Sequence, residues 1–220
     1  MNANPTSQTY SSLTTAYDYF NAELFGGQLP ACLITMQRHK GAYGYFSGDR
    51  FANAANLEEH TDEIALNPAH FAKREARQTL STLAHEMVHL WQHHFGKPPR
   101  KAYHDKQWAA KMREIGLIPT DTGAPGGKET GQKVTHIIEE GGRFAQACAR
   151  LLAEHPAILY HDRAGDDEEG KAARKKKAAS KTKYTCESCG TNAWAKPDTN
   201  LWCGDCQQPM QAEEPQESDD

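Results

Sequence analysis

Apolar residues recur every three or four positions in "SSLTTAYDYFNAELFGG", at Leu13, Tyr17, Phe20 and Leu24, so the first segment predicts an amphipathic helix stopped by glycines. The period then changes. "ACLITMQ" predicts a strand, "GAYGYFSGDRF" a second one bounded by glycines, and "DEIALNP" a short third one closed by a proline. The helical period returns in "KREARQTLSTLAHEMVHLWQHHFG", where Ala76, Leu80, Leu83, Met87 and Trp91 form one stripe and Gly96 marks the stop. After the loop "KPPRKAY", "HDKQWAAKMREIGL" predicts a helix with Trp108, Met112 and Ile115 on its apolar side. "PTDTGAPGGKETGQ" reads as a glycine-rich loop, "KVTHIIEEGG" as a strand and "RFAQACARLLAEH" as a last helix. A helix, a small sheet and then further helices make an α+β domain.

That pattern ends near residue 160. "HDRAGDDEEGKAARKKKAASKTK" carries an acidic run from Asp166 to Glu169, then seven cations between Lys171 and Lys183, and has almost nothing with which to build a core. The expected organisation is a domain over 1–160, a charged flexible linker over 161–183, a cysteine-bearing unit over 184–210 and an acidic disordered tail over 211–220.

Composition narrows the setting. The chain has a net charge of -4, with 38% hydrophobic and 25% charged residues. No apolar run approaches the roughly 18 residues of a membrane span, and the N-terminus has neither the basic flank nor the apolar core of a signal peptide. The expectation is a cytoplasmic monomer with no membrane partner. Cys32 and Cys148 stand in apolar surroundings and read as small core residues. Cys186, Cys189, Cys203 and Cys206 are spaced C-x2-C-x13-C-x2-C. In a reduced compartment two such pairs point to one tetrahedral, closed and therefore structural zinc site. So short a unit buries too little apolar surface to fold without the metal.

A second group of metal-binding side chains lies in "LAHEMVHLWQHHFG". Positions i and i+4 share a helix face, so His85 and His89 can reach one ion, as can His89 and His93. Glu86 distinguishes the pairs. "HEMVH" is H-E-x-x-H, two zinc ligands enclosing a general base, whereas the pair His89 and His93 encloses no carboxylate. His93 and His94 read as surface residues or as neighbours of the ligands. A catalytic zinc usually takes a third protein ligand and leaves one position open. His104, His136, His155 and His161 are the downstream histidines. His104 is favoured, because it precedes Trp108 and Met112 at four-residue spacing at the entry to a core-facing helix.

These residues resemble the SprT-like metalloproteases, the family that includes Spartan. "FNAELFGGQLP" is similar to the family's opening helix and turn, "GYFSGDRF" and "EIALNP" to its strands, and "TLSTLAHEMVHLWQ" to its active helix. Fourteen residues between His89 and His104 match the spacing to the third histidine, although "AYHDKQW" replaces the glycine-flanked segment of many relatives. "GKETGQKVTHIIEEGGRF" and the paired cysteines resemble the close of the domain and the ribbon of bacterial or phage-type members. The resemblance implies a gluzincin-like fold, one catalytic zinc on His85, His89 and His104, Glu86 as base, and a protein substrate. In eukaryotic members it implies cleavage of DNA-crosslinked proteins, switched on by DNA.

The cations beside the cysteine unit, Arg174, Lys175, Lys176, Lys177, Lys181 and Lys183, together with Trp194 and Trp202, suit single-stranded nucleic acid through phosphate attraction and base stacking. The opposing reading is a solvated linker with both tryptophans packed over a zinc core. The expected function is thus a zinc endopeptidase acting on DNA-associated proteins. The alternative is a nucleic-acid-binding or regulatory zinc protein whose gluzincin fold is catalytically weak.

Overall fold

The computed structural model describes residues 4–100, 103–155, 160–163 and 181–213. The chain divides into two compact units, Met1–Asp166 and Asp167–Asp220.

The first unit opens with helix α1, Pro5–Phe25. Asn4 caps it, its side-chain oxygen accepting the Thr6 N–H at 2.9 Å, and Pro5 takes the first turn, where no amide is missed. Leu13, Tyr17, Phe20 and Leu24 are all buried, as their spacing requires. Strands β1 (Leu33–Met36), β2 (Gly44–Asn53) and β3 (Asn56–Leu66) form a sheet in the order β1-β3-β2, with β1 parallel and β2 antiparallel to β3. A 3-10 turn, Pro68–Lys73, leads into α2, Ala76–Phe95. Then come α3 (Lys106–Glu114), the antiparallel pair β4 (Leu117–Thr120) and β5 (Thr135–Ile138), and α4 (Arg143–Glu154).

Helix α2 is the hub. It packs against β2, β3 and all three other helices. The stripe legible in its sequence is only part of what it buries, for Thr79 to Val88 are buried without interruption. Surrounded on every side, it can hold polar side chains in the core, and those are the residues of the candidate site.

Three elements depart from the sequence expectations. β3 starts at Asn56, six residues before "DEIALNP", because its outer half pairs with β2 in an exposed hairpin with no apolar alternation to betray it. β4 was split between a helix and a loop by its pattern; the four residues "LIPT" pair with β5, Leu117 opposite Ile138, and are too short to show a period. His104 lies ahead of α3 rather than on its face, and Asp105 caps the helix, accepting the Trp108 N–H at 2.9 Å.

The second unit holds a sheet of β6 (Thr182–Thr185), β7 (Asn192–Ala195) and β10 (Gln211–Ala212) in the order β10-β6-β7, and a ladder of β8 (Trp202–Cys203) with β9 (Gln208–Pro209). The boundaries of 184 and 210 are therefore too narrow. Thr182 and Lys183 are strand residues, and Gln211 pairs with Thr185. Only Tyr184, Cys186 and Cys203 are buried apolar residues among the described part of this unit. Most of the charged linker, including Arg174, Lys175, Lys176 and Lys177, lies outside the described residues, as do 214–220 of the tail. No described helix is long and apolar enough to cross a membrane.

Candidate metal centres

His85 and His89 sit one turn apart on α2, with ring centroids 5.3 Å apart. His104 arrives from the loop before α3. Its N–H donates to the Gly131 carbonyl at 2.8 Å and its own carbonyl accepts the Gly131 N–H at 3.0 Å. Gly131 holds φ at 146°, where side chains are rarely found. The bridge brings the His104 ring to 4.9 Å from His89 and 5.5 Å from His85. One ring nitrogen from each of the three lies within 4.8 Å of the others. Trp108 stacks on His89 at 5.3 Å and meets His104 edge-on at 4.3 Å, so the cluster is walled on its core side.

The outer hydrogen bonds assign the tautomers. His104 Nδ1–H donates to the Gly131 carbonyl at 3.1 Å, which leaves Nε2 with a lone pair. Behind His85 runs a chain of donors. Ser81 Oγ–H donates to the Gln78 carbonyl at 2.9 Å, so its oxygen accepts His136 Nε2–H at 2.8 Å. His136 Nδ1 is then the acceptor for His85 Nδ1–H at 3.1 Å, and His85 Nε2 is left bare. Such a partner behind a ligating imidazole fixes its ring and raises its basicity. His136, one of the downstream histidines weighed as a third ligand, has both nitrogens engaged here.

Burial keeps these rings neutral. Desolvation pushes His89 and His136 down to about 3 and His85 well below its ordinary value, with neighbouring histidines adding to the effect on His85. His104 is lowered by burial as well, against a smaller opposing pull from its Gly131 bond. Metal ligation needs neutral imidazole. Three neutral imidazoles, each with a ring nitrogen within 4.8 Å of the others, are a donor set that suits zinc and leaves one position open.

Glu86, 5% exposed, stands beside them. Burial pushes its carboxyl up to about 8, against a hydrogen bond from the Phe46 backbone that works the other way. The strand above it comes close only because residue 44 is glycine. A Cβ there would lie 2.8 Å from the Ala65 carbonyl oxygen, 2.9 Å from Thr82 Cγ2 and 3.3 Å from Glu86 Oε1. His85, Glu86, His89 and His104 all line a cleft of about 980 Å³, with Phe46 of β2 and Tyr103 on its walls. Among the described residues β2 pairs with β3 alone, so its outer edge is free. The stretch "EIALNP" of β3 offers no such edge, because β3 is central and is paired on both sides.

Residues 13–130 match the model of the SprT-like family, more than half of the chain. The chain belongs to the SprT-like family. The matched stretch contains His85, Glu86, His89 and His104, and ends before His136 and the four paired cysteines. A Salmonella typhimurium protein, described as an uncharacterized protein in the mucB 3' region, is 57% identical over 47 residues, 21% of this chain and 64% of that one. The chain thus spans less than two thirds of the length of that curated relative. As an SprT-like protein it carries one cluster of histidines and one of four cysteines whose atoms lie close enough to hold a metal ion.

In the second unit Cys186, Cys189, Cys203 and Cys206 each offer a sulfur within 4.8 Å of the others. Each pair is the same turn. The Gly190 N–H donates to the Cys186 carbonyl at 2.8 Å, and the Gln207 N–H to the Cys203 carbonyl at 2.8 Å. Both residues are left-handed, Gly190 at φ 72° and Gln207 at φ 49°. Gly204, inside the second pair, meets nothing that a Cβ would strike. A hydrogen bond from the Gln208 amide lowers the Cys186 thiol, whereas neighbouring thiols raise Cys206. Four thiolates that crowd one another in this way need a cation, and the cluster fits a closed zinc site.

The tryptophans do not cover that cluster. Trp194 and Trp202 are each 62% exposed, and Tyr184 fills the small core instead, its hydroxyl donating to the Lys196 carbonyl at 2.9 Å. Lys181 is exposed. Lys183 lies opposite Trp194 in the ladder, but its ammonium is held 2.5 Å from Glu213, which neutralises part of its field.

Proposed function

We propose that the protein is a zinc-dependent endopeptidase with a gluzincin-like catalytic domain, acting on DNA-associated or DNA-crosslinked proteins. The observation that carries this reading is the convergence of three neutral imidazoles beside a buried carboxylate on the wall of an open cleft. His85, His89 and His104 would hold the catalytic zinc, and Cys186, Cys189, Cys203 and Cys206 a structural one. When bound, the catalytic ion lowers the pKa of water and polarises the scissile carbonyl. Glu86 takes the proton of the attacking water and hands it to the leaving amine. The free edge of β2 accepts the substrate as an added strand, a mode that reads main chain and tolerates many side chains. Trp194 and Trp202, with Lys181 and the cations Arg174 to Lys177, recruit single-stranded DNA by stacking and phosphate contact.

The test is the zinc-loaded full chain incubated with a DNA-binding protein, with and without single-stranded DNA, and the fragments read by mass spectrometry. Cleavage that rises with DNA is expected. Cleavage indifferent to DNA removes the DNA-guided part, and no cleavage under either condition removes the peptidase reading itself.

A further inference from the structure

A third group of metal-binding side chains lies at the far end of α2, and nothing in the peptidase reading uses it. His93 and His94 are consecutive and leave the helix about 100° apart, yet both turn Nε2 towards one carboxylate. Asp62, on β3, is 4% exposed. Its Oδ2 lies 2.6 Å from His94 Nε2 and its Oδ1 3.9 Å from His93 Nε2. Asp49 Oδ2 lies 3.6 Å from the same His93 nitrogen.

Asp62, His93 and His94 each offer an atom within 4.8 Å of the others, and the backbone brings Asp49 beside His93. The register of β2 on β3 shifts between Ser47 and Phe51, the kind of irregularity that re-aims side chains. Within it Asp49 adopts φ 49°, unusual without a glycine, and its N–H donates to Asp62 Oδ1 at 2.8 Å. Gly48 leaves the space that His93 occupies, since a Cβ there would stand 2.6 Å from His93 Cε1. Phe46 closes one side, its ring 5.6 Å from that of His93.

We propose that Asp49, Asp62, His93 and His94 form a separate binding site for a divalent transition-metal cation, with zinc the first candidate. Two imidazoles with two carboxylates are a set that zinc and its neighbours accept, whereas calcium and magnesium favour oxygen alone. Around a tetrahedral zinc at about 2.0–2.2 Å, ligand atoms stand roughly 3.3–3.5 Å apart. The separations of 3.6 and 3.9 Å are close to that spacing. The 2.6 Å contact must open, and His94, its side chain 35% exposed, has room to move. With four protein ligands the site is closed, so the ion is structural. It ties the C-terminal turn of α2 to β3 and to the irregular part of β2, the strand on the cleft wall. The helix that carries His85, Glu86 and His89 is then pinned at the end where its own hydrogen bonds run out.

The experiment counts zinc in the full chain, purified with Zn(II) and no chelator, freed of excess metal and weighed by native mass spectrometry. His94→Ala, at a partly exposed ring, is expected to carry one ion fewer than the parent and to melt at a lower temperature in the presence of Zn(II). His93→Ala provides the second variant and is expected to lose the same ion. His89→Ala is expected to lose a different ion, so a double variant of His89 and His94 loses both. Failure of the peptidase reading, seen in His89→Ala, is thereby separated from failure of this one. A zinc count unchanged in both His93→Ala and His94→Ala overturns the site and leaves the four residues as a hydrogen-bonded cluster.

Discussion

Glu86 is placed where a carboxylate is stable only with a cation beside it. Burial raises its folded-state pKa from 4.5 to about 8. In metal-free protein its contribution is therefore fully favourable below about pH 4.5 and is lost as the pH rises to about 8. The buried histidines have the opposite sign. His89 and His136 are depressed from 6.5 to about 3, so stability from keeping them neutral is lost as the pH falls below about 6.5. With metal removed, Glu86→Gln is expected to melt above the parent at pH 8, by a margin that shrinks towards pH 4.5 in thermal scans. An equal margin at both pH values would show that the carboxylate is not held as described. His136 makes a second residue-scale case. His136→Ala leaves the His85 Nδ1–H buried and unpaired, and is expected to weaken zinc retention about 10–100-fold in a chelator competition. The spacing of His85, Glu86 and His89 was legible because a single helix sets it. His136 was visible only as one more histidine, for its contact with His85 depends on β5, 51 positions along the chain.

Helices were easier to read than the pieces that place the site. α1 and α4 follow their apolar spacing, but α2 is buried nearly all round, and its amphipathic stripe understates what it touches. His104 was chosen for a helical face that it does not occupy. A backbone bridge to Gly131 positions it, and a pairing of isolated residues 27 apart leaves no periodic trace. Gln92 supports the same corner. It is 1% exposed and donates to Asp105 at 2.8 Å, and Asp105 in turn caps α3 next to His104. Gln92→Leu is expected to cost about 1.5–3 kcal/mol in denaturant unfolding, the usual range for a hydrogen bond to a charged group. It should also speed zinc loss from the three-histidine group. Unchanged stability would mean that Asp105 holds the turn unaided.

The two units differ in what holds them together. The first has a continuous core that runs from Leu13 through Leu83 and Trp108 to Phe144. Among its described residues the second buries Tyr184 and two cysteines, too little apolar surface to fold alone. A chain ended at residue 163 is expected to keep its cooperative melt and its zinc on His85, His89 and His104, whereas chelation should abolish the β-structure of 181–213. The same truncation is expected to remove most affinity for single-stranded DNA and the steep salt dependence that phosphate contacts bring. In the sequence the composition changes near residue 160. That change could not show that Gln211–Ala212 closes the small sheet, because an exposed glutamine followed by an exposed alanine carries no strand signal. The central claim, that Glu86 performs the chemistry on a zinc held by three histidines, is tested most directly by comparing the parent with Glu86→Gln at matched zinc content. Cleavage rates on one protein substrate are measured only after native mass spectrometry has shown equal metal in both. Glu86→Gln is expected to retain its zinc and to lose at least about 100-fold in rate, the usual contribution of a general base. Equal rates at equal zinc would contradict that claim.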